Sequence, residues 1–343
     1  MARKKKGSGD EIDLNKSQEQ VLELAMSEIC KRENNDLAVG YLNKMARLKN
    51  LDVISTGSIS LDRALGVGGV ARGRVIEIFG PESSGKTTLC LHILANAQKL
   101  GLKGAFIDME HSLDPAYAQA LGVDLDKLII SQPNSGSEAI RTIATLAKSG
   151  TVGVIVTDSV ASMSTDEEME KQVTDNSMGQ TSRLMSQALR ILSPTINKSN
   201  TCVIFTNQIR MKIGVMFGNP ETTPGGNALK FYSSQRLDIR RTGAIKDSDS
   251  VIGAETRVKV VKNKVGPPFK EARFNIIYGE GIDGVADILK AAVAEGIIEK
   301  AGAWYKYDGD MIGQGELNTV GYLKANPDAF KEIKEKVRKI FSD

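Results

Sequence analysis

The sequence predicts an α/β fold with a mostly parallel, twisted sheet, and three observations lead to it. From about residue 50, apolar runs of strand length alternate with segments of helical periodicity. Runs such as 152–156 are apolar throughout, as expected of strands that are covered on both faces. The segment from Gly80 to Thr87 fits G-x-x-x-x-G-K-[ST] between a strand and a helix, the order of a phosphate-binding loop. Ligands are therefore expected at the carboxyl ends of the strands.

The elements follow one another regularly along the chain. A basic arm at residues 1–6 precedes a segment, 17–47, whose apolar spacing predicts a small helical module. The predicted strands are 74–79, 104–108, 127–131, 152–157, 201–206, 235–240, 256–262 and 273–278. The predicted helices are 86–100, 114–121, 136–149, 179–198 and 226–233. The last strands lack long helices between them, which indicates antiparallel additions to the sheet.

Three domains are expected from this order. Residues 1–48 form the arm and a helical polymerisation module, and residues 49–283 form the core with two long loops. Residues 284–343 return to helical spacing around Trp304 and Tyr305, which predicts a small C-terminal α/β domain.

Composition limits the classes of protein that this chain can be. The 343 residues carry a formal net charge of +3, so any nucleic-acid contact must come from local clusters. Cys30, Cys90 and Cys202 lie too far apart for zinc-ligand spacing and fit a reducing, cytoplasmic compartment. No apolar run approaches the roughly 20 residues of a membrane span, and no hydrophobic signal region follows the basic start. A membrane partner is not expected.

The glycine-containing segment predicts a nucleotide site. Its glycines allow backbone N–H groups to close around phosphate oxygens, and the helix that follows adds partial positive charge. Lys86 is expected to reach the β- and γ-phosphates, and Thr87 to hold Mg²⁺ through its hydroxyl. The expected nucleotide contacts are Gly80, Pro81, Glu82, Ser83, Ser84, Gly85, Lys86, Thr87 and Thr88. The alternative is a strand-to-helix turn without a ligand.

Other strands end in polar residues at the same edge of the sheet. Asp158 follows an apolar strand, which is the pattern of the acid that holds Mg²⁺ in phosphate-loop enzymes. Glu110 could accept a proton from an attacking water, although a solvated loop carboxylate fits the pattern equally well. Gln208 could bind a γ-phosphate and report its loss, or it could simply end the strand.

Two long loops leave this edge of the sheet. The first, 163–180, is polar and acidic, whereas the second, 209–226, mixes basic residues, apolar residues and glycines. That mixture suits single-stranded nucleic acid, because cations contact phosphates and apolar side chains contact bases. A lid without a nucleic-acid ligand is the alternative interpretation.

With these residues assembled, the chain resembles the bacterial-type RecA recombinases. The resemblance covers roughly residues 50–310 and rests on 54–58, 80–88, 106–115, 156–159, 207–232, 255–264, 278–282 and 299–305. It implies a RecA-type P-loop ATPase core that uses ATP and Mg²⁺. It also implies a DNA-dependent ATPase that forms helical filaments on single-stranded DNA and exchanges strands with homologous duplex DNA in recombination and repair. In such a head-to-tail filament, ATP lies between protomers.

The resemblance assigns roles residue by residue. Catalytic roles are implied for Glu110, Lys86, Gln208, Lys262 and Lys264, and Mg²⁺ contacts for Thr87 and Asp158. Adenine contacts are implied for Asp114, Tyr117 and Tyr278. The implied DNA contacts are Met178, Arg183, Ser186, Arg190, Arg210, Met211, Lys212, Ile213, Gly225, Gly226 and Asn227. Contacts with the incoming duplex are implied for Arg240, Arg241, Arg257 and Lys259, and Phe231 matches an interface aromatic. By spacing alone, Lys262 and Lys264 would be solvent-facing lysines on a strand.

Some regions depart from the family pattern. They are the N-terminal segment 34–48, the first loop at 165–180, and the C-terminal segment 331–343, which lacks the acidic tail of many relatives. Without repulsion from such a tail, we expect readier binding of duplex DNA. Two other functions stay open at this point. One is an ATP-bound scaffold that stimulates self-cleavage of an SOS-type repressor, and the other is a hexameric P-loop motor such as a helicase.

Overall fold

The computed structural model describes residues 18–34, 38–41, 51–165, 179–211, 218 and 220–342. The chain divides into two compact units, Met1–Leu51 and Asp52–Asp343. The first unit contains helix α1 (Gln18–Arg32), which confirms a helix within the predicted module. The basic arm at residues 1–6 lies outside the described residues.

The second unit is built on a large mixed sheet. Up to residue 282, the strands of the unit are β1 (Val53–Ile54), β2 (Val70–Ala71), β3 (Val75–Gly80), β4 (Lys103–Asp108), β5 (Leu128–Ser131), β6 (Val152–Asp158), β7 (Cys202–Gln208), β8 (Arg210–Met211), β9 (Glu221–Thr222), β10 (Gln235–Asp247), β11 (Ser250–Asn263), β12 (Glu271–Ile277) and β13 (Gly281–Ile282). Two smaller strand pairs, β1-β2 and β8-β9, are separate from this sheet. Nine described strands form one sheet in the order β13-β12-β11-β10-β3-β7-β6-β4-β5. The pairs from β10 to β5 are parallel, and those from β10 to β13 are antiparallel. This confirms the predicted fold class.

Helices cover both faces of the sheet. They are α2 (Ile59–Leu65), α3 (Lys86–Lys99), α4 (Pro115–Ala120), α5 (Gly136–Lys148), α6 (Gln180–Ser199) and α7 (Ala228–Tyr232), with 3₁₀ turns at Leu125–Lys127 and Val160–Ser162. On β4, Phe106 packs into the cluster that contains α3, whereas Ala105 and Ile107 pack into the cluster that contains α5 and α6. Successive strand residues thus enter opposite cores, which explains why these strands are apolar throughout.

The C-terminal part of this unit has an apolar cluster of its own. It contains helices α8 (Gly284–Ala294), α9 (Glu316–Ala325) and α10 (Pro327–Ser342), with strands β14 (Glu299–Ala301), β15 (Trp304–Tyr307) and β16 (Asp310–Gln314). The strands form an antiparallel sheet, and Tyr305 and Tyr307 are buried among the helices. The division of the chain at residue 284 stays a prediction. Among the described residues, every helix is either too short or too polar to cross a lipid bilayer.

The β10–β11 ribbon is longer than the sequence predicts. The strands extend to Asp247 and from Ser250, beyond the predicted limits of 240 and 256. Residues from Arg241 to Asp247 are mostly exposed, so they lack the apolar alternation from which a strand is predicted. Helix α2 is also absent from the prediction. The Ser58 hydroxyl caps its first turn, and Gly66 ends it in the left-handed conformation.

Candidate functional site

The phosphate-loop segment has a backbone that only glycine allows at two positions. A Cβ atom on Gly80 would lie 2.1 Å from the carbonyl oxygen of Ile239. Gly85 has a φ of 96° immediately before α3, and a Cβ there would lie 2.6 Å from Cδ1 of Ile276. The loop is therefore pressed against β10 and β12 while the first backbone N–H groups of α3 are left to bind a ligand.

Lys86 is folded back on this loop. Its Nζ donates to the carbonyl oxygens of Pro81, at 2.8 Å, and Gly80, at 3.2 Å. Burial lowers the pKa of Lys86, and the negative charges of Asp158 and Glu110 oppose that shift. An anion that binds in the loop would replace these carbonyl contacts and favour the charged ammonium.

Thr87 and Asp158, the two residues predicted to hold Mg²⁺, meet at the carboxyl end of the sheet. The Thr87 hydroxyl donates to Oδ2 of Asp158 at 2.5 Å, and the Thr206 hydroxyl donates to Oδ1 at 2.5 Å. The hydroxyl of Ser84 is buried and has no hydrogen-bond partner within the described part of the chain. Hard oxygen ligands beside an unsatisfied loop hydroxyl fit a Mg²⁺-bound phosphate.

Glu110 lies on a turn that is stabilised by hydrogen bonds to the buried carboxylate of Asp108. Asp108, at the end of β4, accepts hydrogen bonds from the backbone N–H groups of Ser112, at 3.3 Å, and Leu113, at 3.2 Å. The N–H of Met109 donates to the carbonyl of Asp158 at 2.7 Å, which joins this turn to β6. The Glu110 side chain is exposed and close enough to Lys86 to influence its pKa. Asp108 is a residue that sequence reasoning missed.

Of the residues expected around adenine, Asp114 and Tyr117 belong to α4, whereas Tyr278 lies between β12 and β13. The hydroxyl groups of Tyr117 and Thr88 lie 2.9 Å apart, which joins α4 to the start of α3. The Asp114 carboxylate caps α4 by accepting from the N–H groups of Ala116 and Tyr117. The Tyr278 side chain is 52% exposed, so its ring is available for stacking.

His92 fixes β13, next to Tyr278, and the sequence gives no signal for it. Its Nε2 accepts the N–H of Ile282 at 2.8 Å. Burial, helped by the charge of Lys99, lowers the pKa of His92 from its ordinary value of 6.5 to about 4. The neutral imidazole is thus the form that folding favours.

This lowered pKa predicts an acid-sensitive contribution to stability. The contribution is present above pH 6.5 and is lost as the pH falls towards about 4, because the unfolded chain then binds a proton more readily. His92→Gln supplies an acceptor that does not titrate. We expect the free energy of unfolding, measured with urea from pH 7 to pH 4.5, to fall by about 2 kcal/mol less in the variant. Asp62, whose pKa burial raises to about 6, contributes with the opposite sign but equally in both proteins. If the free energy of unfolding depended on pH in the same way in both proteins, the prediction would be contradicted.

The end of β7 is joined to the end of the second loop by a buried polar network. Nδ2 of Asn207 donates to Oε1 of Glu77, at 3.2 Å, and to the carbonyl of Pro224, at 3.0 Å. The fully buried Glu77 also forms an ion pair with Arg236, whose guanidinium lies 4.7 Å from the ring centroid of Phe79. A single acid inside an apolar strand requires such partners, and this is the signal that could have identified Glu77.

Gln208 follows Asn207 directly. It is the last residue of β7, is only partly buried, and its N–H donates to Oδ1 of Asn207 at 3.1 Å. β7 lies beside both β3 and β6, so Gln208 is at the same edge as the phosphate loop and Asp158. Its role as a γ-phosphate sensor stays a prediction.

Several of the predicted DNA contacts lie on one exposed face of α6. Arg183, Ser186 and Arg190 line a shallow depression there. Their spacing of three and four residues places them along one side of the helix. Met178 lies outside the described residues.

The second loop begins and ends next to these elements. Arg210 and Met211 are exposed on β8, which pairs with β9, while Lys212 and Ile213 lie outside the described residues. Gly225 and Gly226 have φ values of 82° and 72° just before Asn227, and a Cβ on Gly226 would lie 2.8 Å from Oγ of Ser182. The end of the second loop is thereby packed on the start of α6. The structure thus brings the end of the second loop next to the helix that carries Arg183, Ser186 and Arg190.

Lys262 and Lys264 hold the C-terminal end of α7. Nζ of Lys262 donates to the carbonyls of Lys230, at 2.6 Å, and Phe231, at 2.9 Å, and Nζ of Lys264 reaches Phe231 at 3.5 Å. Burial, with the nearby charges of Lys264 and Arg236, lowers the pKa of Lys262. The Phe231 side chain is 71% exposed. Within one protomer these lysines therefore cap a helix.

The fold and the site together define a P-loop ATPase core. A family model described as the RecA N-terminal domain matches residues 20–283, and one described as the RecA C-terminal domain matches residues 286–342. The chain belongs to the RecA family, the DNA-dependent ATPases and recombinases of DNA repair.

Individual relatives agree with this membership. The chain is 54% identical over 325 residues to Protein RecA of Allochromatium vinosum, covering 95% of this chain and 93% of that protein. It is 55% identical over 324 residues to Protein RecA 2 of Myxococcus xanthus, covering 94% and 90%. The crystal structure of the RadB recombinase matches with a TM-score of 0.51 and 24% identity, over 67% of this chain and 98% of that one, and supports the fold alone.

Proposed function

We propose that this protein uses ATP and Mg²⁺ to assemble as a helical filament on single-stranded DNA, pair it with a homologous duplex and exchange strands. The observation that carries the proposal is the contact of Asn207 with both Glu77 and Pro224. It joins strands at the nucleotide edge to the second loop through one buried and one partly buried hydrogen bond. Occupation of the nucleotide site and the arrangement of the DNA loop can therefore influence each other.

Each step at the nucleotide site is assigned to a side chain of this protein. Lys86 binds the β- and γ-phosphates after leaving the carbonyls of Gly80 and Pro81. Thr87 and Asp158 would hold Mg²⁺, which would supply positive charge to neutralise the phosphates. Glu110 orients the attacking water and accepts its proton, and the turn anchored by Asp108 keeps Glu110 in place.

The filament contacts are also part of the proposal. Lys262 and Lys264 would exchange their carbonyl partners for phosphates held by the adjacent protomer, and the exposed Phe231 would pack on that protomer. A head-to-tail contact of this kind repeats without closing and gives an open helix. The buried thiols of Cys90 and Cys202, which form no disulfide, support a reducing cytoplasm. Stimulated cleavage of an SOS-type repressor stays a separate hypothesis, and the family match favours a recombinase over the hexameric motor.

Strand exchange tests the proposal directly. Circular single-stranded DNA is incubated with the full chain, ATP and Mg²⁺, and a linear duplex of the same sequence is then added. We expect joint molecules and displaced strand on a gel. A duplex of unrelated sequence is the control. Equal yields with both duplexes, or none with either, would contradict the proposed function.

A further inference from the structure

The exposed face of strands β10 to β12 carries a row of three arginines. The strand register places Arg240 opposite Arg257, and Arg257 opposite Arg273. Directly opposite residues of antiparallel strands lie on the same face, where like charges destabilise one another. We call Arg240, Arg257 and Arg273 the arginine row.

In the adjacent row on this face, unlike in the arginine row, positive and negative charges lie opposite each other. It alternates in sign across the strands and consists of Asp238, Lys259 and Glu271. The Nε atom of Arg257 is buried and lacks a hydrogen-bond partner among the residues that the structure describes. A buried donor in a positively charged row favours an anionic ligand at this place.

Glu221 compensates one end of the arginine row. Its Oε1 and Oε2 accept from Nη1 and Nη2 of Arg240 at 3.0 and 2.6 Å, and Nε of Arg240 donates to Asp238 at 2.8 Å. These hydrogen bonds raise the pKa of Arg240. A phosphate offers a guanidinium the same pair of oxygens as this carboxylate does. Glu221 thus occupies Arg240 in the manner expected of a phosphate.

Glu221 belongs to the hairpin that is proposed to bind the first DNA strand. It lies on β9 opposite Met211, and its neighbour Thr222 lies opposite Arg210. Phosphates held at Arg210 would repel the Glu221 carboxylate across this short pairing. The ion pair is partly exposed, with side-chain exposures of 27% for Arg240 and 25% for Glu221, so its two partners can separate at modest cost.

We propose that Glu221 is a built-in competitor that withholds Arg240 from the phosphates of a DNA duplex until single-stranded DNA binds the β8–β9 hairpin. The inference rests on the proposed function and adds an order to it. The first strand weakens the Glu221–Arg240 ion pair, and the arginine row then binds the phosphates of the second DNA molecule. By reciprocity, duplex DNA bound at Arg240 favours the first strand at the hairpin.

Glu221→Gln tests this competition, because it removes the charge and keeps the shape. We measure binding of a short fluorescent duplex to the full chain by anisotropy, with a slowly hydrolysed ATP analogue, before and after saturation with unlabelled single-stranded DNA. Without the single strand, we expect the variant to bind duplex roughly fivefold more tightly than the unaltered protein. After saturation with single-stranded DNA, the duplex affinities of the variant and the unaltered protein should agree within about twofold. Glu221→Asp, which restores the charge, should bind duplex weakly again.

Glu255→Gln is the matched control. Glu255 lies on β11 of the same ribbon, opposite Gly243, and makes no hydrogen bond to Arg240. The substitution Glu255→Gln removes one negative charge from the ribbon but leaves the Glu221–Arg240 ion pair intact. Equal affinities of the Glu221→Gln and Glu255→Gln variants would overturn the inference, as would a gain that persists undiminished on the single-stranded complex. If single-stranded DNA does not stimulate ATP hydrolysis by the unaltered protein, that result would instead overturn the proposed function.

Discussion

Lys86→Ala is expected to lower ATP hydrolysis at least about a hundredfold, the loss typical of removing a preorganised charge from a transferring phosphoryl group. The fold should survive because, within the described part of the chain, the Lys86 ammonium hydrogen-bonds to two carbonyls of its own loop. The free energy of unfolding should change by about 1 kcal/mol or less. Steady-state phosphate release, measured with saturating single-stranded DNA, checks the first expectation, and urea unfolding checks the second.

Lys99→Ala provides the matched control for this variant. Lys99 ends the same helix and is exposed, far along α3 from the phosphate loop. Its hydrolysis rate should stay within about twofold of the unaltered protein. Comparable losses in both variants would show that charge on α3 matters in general and that Lys86 has no particular role.

Glu77→Gln is expected to cause the largest loss of stability among these variants. It leaves Arg236, whose side chain is 14% exposed, without its counter-ion, and an uncompensated buried charge costs about 3 kcal/mol. Glu77→Gln combined with Arg236→Met removes both charges and keeps packing on Phe79. Urea unfolding should therefore show the double variant to be more stable than Glu77→Gln alone.

Glu295→Gln is the comparison on a more exposed ion pair. Glu295 contacts Arg63, whose side chain is 47% exposed, so its loss should cost about 1 kcal/mol or less. The losses of unfolding free energy in Glu77→Gln and in Arg236→Met are added and compared with the loss in the double variant. If the double variant lost the full sum, Glu77 and Arg236 would not be acting as a pair.

The sequence is sufficient to predict the parts of the site that depend on local order. The phosphate loop lies between a strand and a helix within a few residues, so its glycines, Lys86 and Thr87 could be placed directly. Asp158 ends an apolar strand, and a parallel sheet brings such strand ends to one edge. The contact of Thr87 with Asp158 follows from that topology.

Contacts between distant residues could not be predicted in the same way. Glu77 and Asn207 are 130 residues apart, and His92 and Ile282 are 190 apart, so no periodic pattern links them. The outer part of the β10–β11 ribbon lacks an apolar face, which removes the signal for a strand. The helix-capping contacts of Lys262 and Lys264 depend on where α7 ends, which spacing along β11 does not specify.

ATP hydrolysis with and without single-stranded DNA tests the central claim most directly, namely that the nucleotide site and the DNA loops act together. The rate of phosphate release is measured at saturating ATP and Mg²⁺ for the unaltered chain, with Lys86→Ala as the control for contaminating activity. Coupling through Asn207 and the second loop predicts at least a roughly tenfold stimulation by single-stranded DNA, absent in the control. A rate that single-stranded DNA leaves unchanged would contradict the account, because it would show that the loops and the nucleotide site work independently.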